Sequence, residues 1–134
     1  MKIYVGCALT HASEEFKRAV DILKIALRED GHFVFDFLGL VAGTAEDVYV
    51  WDIHNCVAKC DVFIALVDHP STGLGYELST AVEKNGKPTL ALAQTNALVT
   101  RLVLGINEPC YTFARYETLE EIPLLVKQFI AGKV

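Results

Sequence analysis

A polar, glycine-containing segment in the middle of the chain carries the residues best suited to chemistry. Residues 68–75 follow a run of apolar residues, and Glu77 stands two positions later, in the predicted first turn of a helix. Glycines at positions 73 and 75 would let a ligand approach the backbone closely. The unpaired N–H groups of a helix start favour negative charge, so we expect Glu77 to be ionised. An ionised carboxylate here suits a nucleophile or an anchor for a sugar hydroxyl.

Two further residues could act with Glu77. Asp52 lies in a predicted helix before the third strand, and Tyr4 lies in the first strand. Cleavage of an N-glycosidic bond needs one carboxylate at the anomeric carbon and an acid that helps the base to leave, and paired carboxylates in different environments meet that need. Each residue also has a simpler interpretation: Glu77 as a partner of the helix dipole, Asp52 as a solvated side chain and Tyr4 as core packing.

Apolar runs and helical patterns alternate along the whole chain. We predict strands at residues 2–8, 33–37, 62–67, 89–93 and 110–113, and helices at residues 13–29, 47–59, 74–85, 97–104 and 119–130. Ser13 is the predicted N-cap of the first helix, and Gly31 its stop. Apolar strands that alternate with helices predict a five-stranded parallel sheet covered on both faces, which is a three-layer α/β/α, doubly wound fold of the flavodoxin-like or Rossmann-like kind.

The predicted sheet also indicates where a ligand would bind. In doubly wound sheets the site lies outside the carboxyl ends of the strands. Residues 7–12, 68–75 and 94–100 follow the first, third and fourth predicted strands, so they should meet at this edge. Residues 38–46 contain two glycines and are predicted to form a mobile loop. The segment before Glu77 therefore falls where the fold predicts a site.

Length and composition limit the class of protein. A chain of 134 residues without internal repeats predicts a single domain over residues 1–134. A hydrophobic content of 52% excludes intrinsic disorder, and a net charge of −5 argues against polymeric nucleic acid as a partner. The apolar runs are strand-sized and the N-terminus is unlike a signal peptide, so we predict no membrane segment. Four cysteines without the spacing of a disulfide framework indicate a reduced, cytoplasmic protein.

The sequence gives little support for a metal or a bound cofactor. Cys56 and Cys60 are four residues apart on a predicted helix with His54 nearby, but two small apolar residues facing the core explain the cysteines better. The chain has no HExxH or paired CxxC motif, no GxxxxGK[ST] loop and no complete dinucleotide fingerprint. A response regulator would need an acidic pair after the first strand, where this chain reads CALT. We therefore predict no metal and no cofactor.

The middle third of the chain resembles the nucleoside 2-deoxyribosyltransferases and their nucleotide N-hydrolase relatives. The resemblance centres on WDIHNCVAKCDVFIALVDHPSTGLGYELSTAVEKNGKPTLAL, at residues 51–92. The branch of 2′-deoxynucleoside 5′-monophosphate N-hydrolases is most similar, because its members carry a Pro-Ser-x-Gly-x-Gly-Tyr-Glu-Leu loop like residues 70–78 here. The opening KIYVG is similar to the first strand of the family, and the order of elements agrees to the C-terminus.

The resemblance implies a role for each candidate residue. Glu77 would be the nucleophile that forms a glycosyl-enzyme intermediate, Asp52 the acid that assists departure of the base, and Tyr4 the residue that orients the nucleophile. Ser71 and Gly73 would hold the 5′ end of the substrate. Thr100 stands where hydrolase relatives have a serine that contacts phosphate across a dimer interface. The complete set of implied substrate-binding residues is Gly6, His11, Ser71, Gly73, Gly75, Thr100 and Arg101.

Three departures from the family pattern shape these expectations. Relatives that act on monophosphates carry a basic, glycine-rich turn after the first strand, whereas residues 7–11 read CALTH, which leaves His11 or Arg101 to supply charge. Asp52 lies one residue farther from Cys60-Asp61 than the family spacing, which on an α-helix is a rotation of about 100° unless the helix start shifts. The chain ends LLVKQFIAGKV, without the C-terminal asparagine of the transferases, which favours water as the acceptor.

The resemblance thus implies an enzyme that cleaves the N-glycosidic bond of a small-molecule nucleoside or nucleotide and works as a homodimer. A deoxyribosyltransferase that exchanges bases is one alternative. A nucleotide-binding sensor without turnover is another, from a different class of protein.

Overall fold

The computed structural model describes residues 1–36 and 43–133, and within them five parallel strands form one sheet in the order β2-β1-β3-β4-β5. The strands are β1 (Lys2–Cys7), β2 (Phe33–Val34), β3 (Val62–Leu66), β4 (Thr89–Gln94) and β5 (Tyr111–Tyr116). The helices are α1 (Glu14–Glu29), α2 (Ala45–Tyr49), α3 (Thr72–Ser79), α4 (Arg101–Leu104) and α5 (Ile122–Ile130). This strand order is the flavodoxin-like one, so the predicted fold class is confirmed.

Side chains of the three central strands alternate between two helix-covered faces. One face packs against α1 and α5 through Ile3, Val5, Ile64, Leu66, Leu90 and Leu92. The other packs against α3 and the helix before β3 through Tyr4, Phe63, Ala65, Ala91 and Ala93. Tyr4 therefore belongs to the core beneath α3, which is the helix that carries Glu77.

The first helix begins and ends as predicted. The Ser13 hydroxyl accepts a hydrogen bond from the backbone N–H of Phe16 at 3.1 Å, which confirms it as the N-cap. Gly31 has a φ of 89°, and its N–H donates to the carbonyl of Arg28. A residue with a side chain is strained at such a φ, so Gly31 stops the helix as the sequence indicated.

Several element boundaries differ from the predictions. Helix α2 begins at Ala45 rather than residue 47, because Thr44 and Asp47 form a capping box. Helix α3 begins at Thr72 rather than residue 74, because Ser71 caps it. Strand β2 ends at Val34, β5 extends to Tyr116, and α4 covers only the end of predicted helix 97–104. Position 37 of the predicted second strand and positions 38–42 of the predicted loop lie outside the described residues.

Two helices widen into π-helix. Helix α2 continues as Val50–Val57, and α3 continues as Thr80–Lys84. The N–H of Asn85 donates to the carbonyl of Thr80, five residues earlier, as a π-helical turn requires. Such turns hold more residues than an α-helical turn and occur often at functional sites.

Among the described residues, every helix is too short or too polar to span a bilayer.

Gly6 lets α3 pack closely on β1. A Cβ atom at Gly6 would lie 2.9 Å from Cε2 of Phe63 and 3.0 Å from Cδ1 of Leu74. We therefore expect Gly6→Ala to destabilise the protein by about 1–3 kcal/mol in urea unfolding, because the fully buried ring of Phe63 must shift to admit the new methyl group. Gly75→Ala is the matched control, since a Cβ there meets nothing within 4 Å and alanine favours the helix by roughly 0.5–1 kcal/mol. Equal stability of both variants would contradict this packing.

Candidate active site

A cleft of about 480 Å³ opens at the carboxyl ends of β1 and β3, where the strand order reverses direction. Its walls are the turn after β1 at residues 7–11, the segment at residues 69–74 and the side chains of Tyr4, Asp52 and Glu77. The structure thus brings together all three residues predicted to be catalytic, which come from β1, the π-helical segment and α3. His11, Ser71 and Gly73 of the predicted binding set line the same cleft.

Glu77 is buried and lies deeper in its helix than predicted. Since Ser71 caps α3 and Thr72 is its first residue, Glu77 falls in the second turn, not the first. It is 8% exposed, and burial raises its pKa from 4.5 to about 7, while a hydrogen bond from Tyr4 lowers the pKa and the charge of Asp52 raises it. The expectation of a permanently ionised carboxylate was therefore wrong, because the loss of solvent outweighs the helix start. Near neutral pH, Glu77 exchanges between its two protonation states.

Tyr4 holds the carboxyl group of Glu77 in place. Its hydroxyl donates a hydrogen bond to Oε2 of Glu77, and the tyrosine is 1% exposed. The ring stacks on Phe63 at a centroid distance of 5.5 Å and meets Phe35 edge-on at 6.5 Å. Burial and the neighbouring Glu77 raise the pKa of Tyr4 well above its usual range, so the hydroxyl stays protonated as a donor. This arrangement fixes the position of the Glu77 carboxyl and stabilises its ionised form.

Asp52 reaches the cleft because its helix is a π-helix. The one extra residue between Asp52 and Cys60 would turn the side chain by about 100° on a regular α-helix. The turns of Val50–Val57 are wider than those of an α-helix, and Asp52 lines the cleft with Glu77. Burial raises the pKa of Asp52 above its ordinary value. The cleft therefore holds two carboxyl groups that both retain protons more strongly than in water.

The N-terminus of α3 forms one wall of the cleft. The Ser71 hydroxyl accepts from the N–H of Leu74 at 3.1 Å, and the N–H groups of the first turn at Thr72 and Gly73 lack α-helical partners, as at any helix start. A Cβ at Gly73 would meet only the Ser71 hydroxyl, at 3.9 Å. The fold does not require glycine at this position, so its missing side chain leaves open space beside donors that suit an anion.

Four predicted binding residues lie outside this cleft. Gly6 is buried under α3, where it has the packing role described above. Gly75 and Thr100 line a separate apolar groove of about 320 Å³ between α3 and α4, in which the Thr100 hydroxyl caps α4. Arg101 is exposed and lines neither cavity. A single copy of the chain does not bring Thr100 or Arg101 to Glu77.

Two of the four cysteines are buried thiols, and Cys7 and Cys110 are partly buried. Cys56 and Cys60 are 0% and 1% exposed in the core beneath α3, which confirms the core interpretation. Cys7 lines the cleft, but burial raises its pKa to about 12, so it carries no thiolate at neutral pH. All four cysteines are free, and the described residues contain no cluster of His, Cys, Asp or Glu side chains arranged to hold a metal ion.

His69 is a cleft residue that the sequence analysis did not select. Its side chain lines the cleft beside Ser71, and its ring meets Phe16 edge-on at a centroid distance of 5.2 Å. The available signal was its place in the segment between β3 and the N-cap of α3.

Known proteins of similar sequence share one name. No family model matches the chain. A protein of Thermofilum pendens named "Putative 2'-deoxynucleoside 5'-phosphate N-hydrolase 1" is 27% identical over 143 residues, which cover 100% of this chain and 98% of that protein. A protein of the same name from Syntrophotalea carbinolica is 32% identical over 107 residues, which cover 80% of this chain and 72% of that protein.

Two solved structures share the fold of this chain. A CMP N-glycosidase from Clostridium botulinum superposes with a TM-score of 0.74 at 20% identity, covering 95% of this chain and 99% of that one. A 2-deoxyribosyltransferase from Bacillus psychrosaccharolyticus superposes with a TM-score of 0.63 at 21% identity, covering 92% and 90%. The sequence identity to the Syntrophotalea protein, over most of both chains, shows that this chain belongs to the 2′-deoxynucleoside 5′-phosphate N-hydrolase family.

Proposed function

We propose that this protein is an enzyme that hydrolyses the N-glycosidic bond of a deoxynucleoside 5′-monophosphate, or of the nucleoside, and releases the free base. The observation that carries the proposal is the buried Tyr4–Glu77 hydrogen bond in a cleft that Asp52 also lines. The names of the relatives, which describe N-hydrolases of 2′-deoxynucleoside 5′-phosphates, support this substrate class.

Glu77 is the proposed nucleophile of the first step. One carboxylate oxygen attacks the anomeric carbon of the sugar while the bond from that carbon to the base nitrogen breaks. The electron pair of the broken bond goes to the base, and Asp52 donates a proton to it. The hydrogen bond from Tyr4 to Oε2 holds the carboxylate in one orientation during the attack. The products of this step are the free base and a glycosyl ester on Glu77.

Water completes the reaction in the second step. After the first step Asp52 is ionised and can accept a proton from water as the water oxygen attacks the anomeric carbon. The ester bond to Glu77 breaks, and the carboxylate is regenerated. The sugar leaves with a hydroxyl group in place of the base, and Asp52 again carries its proton.

The two carboxyl groups are suited to share one proton. Burial raises the pKa of Glu77 to about 7 and also raises that of Asp52, and the charge of Asp52 contributes to the raised pKa of Glu77. Such a pair loses its protons in two coupled steps. The reactive form has the proton on Asp52 and the charge on Glu77, and the hydrogen bond from Tyr4 favours this distribution. We expect kcat/KM to follow a bell-shaped dependence on pH, because the singly protonated pair is lost at low pH, where both groups are protonated, and at high pH, where both are ionised.

Release of free base is the experiment that tests this activity. Purified protein is incubated with 2′-deoxynucleoside 5′-monophosphates and with the nucleosides, and the free base is separated by chromatography. Base release in water alone supports the hydrolase. Base exchange that requires a second base identifies a transferase instead, and ligand binding without base release from any substrate identifies a sensor.

We also propose that two copies of the chain form a homodimer through the apolar groove between α3 and α4. Leu98 and Leu102 flank Thr100 beside this groove and are 92% and 80% exposed. Exposed leucines next to an apolar groove are typical of an interface. Covering the groove with a second copy would bury both side chains and bring Thr100 of the partner subunit toward the cleft, in the manner that the family resemblance implies.

A charge in the groove should separate the two copies. We expect Leu102→Glu to convert the dimer to a monomer in sedimentation analysis and to weaken binding of the monophosphate. Leu124→Glu is the matched control, because Leu124 is 58% exposed on α5 and distant in the fold from the groove. A wild-type chain that is monomeric at concentrations where it is fully active would refute the dimer.

A further inference from the structure

His69 lies where three cavities meet. Its side chain lines the catalytic cleft, the apolar groove and a third, polar cavity of about 520 Å³ at the carboxyl ends of β3, β4 and β5. We propose that His69 is a specificity-determining residue, whose Nε2–H donates a hydrogen bond to the 5′-phosphate of the substrate. This inference rests on the proposed function and adds to it the residue that distinguishes a nucleotide from a nucleoside.

The imidazole of His69 is held in place but makes no hydrogen bond within the described residues. Its Nδ1 is buried and has no hydrogen-bond partner among the described residues. Its Nε2 also makes no hydrogen bond within the described chain but is not enclosed, so this nitrogen is the one that a ligand can reach. The ring of Phe16 meets the imidazole edge-on, which orients it without supplying a hydrogen bond. Unsatisfied polar side chains destabilise a fold, so a ring held in this way calls for a functional reason.

The backbone around His69 is firmly held. Oδ1 of Asp68 accepts hydrogen bonds from the N–H of Gln94 at 2.7 Å and from the hydroxyl of Tyr116 at 2.6 Å. On the other side, Pro70 has a restricted φ and Ser71 caps α3. The imidazole is therefore presented from a fixed segment, as a residue that reads a substrate must be.

The charges in the cleft indicate which ligand group His69 would bind. Among the described residues that line the cleft, none is lysine or arginine, and Asp52 and Glu77 would repel a phosphate. Among the described residues of the cleft, the basic side chains are those of His11, which is exposed, and His69. His69 also stands beside Ser71 at the start of α3, where free N–H groups and the helix dipole favour an anion. The 5′-phosphate of the substrate is the anion that this combination fits.

The polar cavity on the far side of His69 also favours binding of the phosphate on the catalytic-cleft side of the imidazole. It is lined by the acidic residues Glu15, Asp68, Glu117 and Glu120 and, among the described residues, by no lysine or arginine. A phosphate would be repelled from that side. The imidazole therefore separates this acidic cavity from the start of α3, whose free N–H groups can share the phosphate charge.

Binding measurements on His69 variants test the proposal without requiring turnover. By calorimetry, we expect His69→Ala to weaken binding of a 2′-deoxynucleoside 5′-monophosphate by about tenfold or more, the usual effect of losing a charge-assisted hydrogen bond. Binding of the corresponding nucleoside should change by less than about twofold, since it lacks the phosphate. His69→Gln should recover part of the loss, because its amide N–H can donate where Nε2–H does.

Controls separate this role from packing and from the proposed activity. His32→Ala removes a partly buried histidine that hydrogen-bonds to the N-terminal amino group and lines none of the three cavities, so it should leave both affinities unchanged. Equal weakening of nucleotide and nucleoside by His69→Ala, with no recovery in His69→Gln, would show that the ring only packs on Phe16 and would overturn the proposal. If no substrate releases base but His69→Ala still discriminates nucleotide from nucleoside, the catalytic proposal fails and this inference stands.

Discussion

Replacing Glu77 with glutamine should abolish base release and, above neutral pH, make the protein more stable. Glutamine keeps the size of the side chain and an oxygen that accepts from Tyr4, but it cannot form the glycosyl ester. We expect kcat to fall by at least about 10³-fold, as for loss of a nucleophile in other covalent mechanisms. The measurement is free base released per enzyme under saturating nucleotide.

The effect on stability follows from the raised pKa of Glu77. Because the pKa in the folded protein is about 7 rather than 4.5, the folded state favours the protonated form. The stability that protonated Glu77 contributes is fully present below pH 4.5 and is lost as the pH rises to about 7. The difference corresponds to about 3 kcal/mol at pH 8. Glu77→Gln should regain most of it at pH 8 and little at pH 4.5, as measured by urea unfolding.

Glu29→Gln is the matched control for both measurements. Glu29 is exposed near the end of α1, so its replacement should change neither activity nor the pH dependence of stability by a measurable amount. A Glu77→Gln variant that keeps most of its activity would show that another group is the nucleophile. A variant no more stable than the wild type at pH 8 would show that Glu77 ionises without penalty.

Asp52→Asn should slow departure of the base, and most strongly for bases that are poor leaving groups. A general acid contributes typically about 10²–10⁴-fold, so we expect kcat to fall within that range for a poorly leaving base and much less for an activated one. Removing the charge of Asp52 should also lower the pKa of Glu77, since that charge raises it. The rising part of the pH profile of kcat/KM should then move to lower pH.

Asp21→Asn provides the comparison for Asp52. Asp21 is exposed on α1 and should tolerate the same change without effect on kcat. If Asp52→Asn reduces kcat equally for every base, Asp52 positions the substrate and is not the acid. If the pH profile moves to higher pH, the electrostatic coupling has the opposite sign to the one inferred here.

The sequence predicted the order of elements and the place of the cleft well, because both depend on strong local patterns. Apolar strands that alternate with amphipathic helices predict a doubly wound sheet. Ser13 and Gly31 marked the limits of α1 because capping and left-handed backbone need those residue types. The predicted catalytic residues came from segments that the parallel topology brings to one edge of the sheet.

Tertiary environment, by contrast, was not readable from local pattern. Glu77 was predicted to be an ionised carboxylate at a helix start, and its raised pKa depends on burial between β1 and α3. Because Ser71 caps α3, Glu77 lies in the second turn of the helix. The hydrophobic periodicity of the sequence does not distinguish Ser71 from a later residue as the N-cap. His69 carries no motif, and only the meeting of three cavities gives it significance. Thr100 and Arg101 lie away from the cleft within one chain, which sequence spacing alone does not indicate.

The π-helical segment Val50–Val57 has a consequence for how the length of this helix can vary. A π-helical turn holds more residues than an α-helical turn. A single insertion or deletion in this segment can therefore change the winding of the helix while its two ends stay anchored. The ends remain fixed by the Thr44 cap and by the entry into β3. Homologous chains that differ by one residue in this helix can therefore place the same acidic side chain in the cleft, and a gap in an alignment at this point does not mean a lost acid.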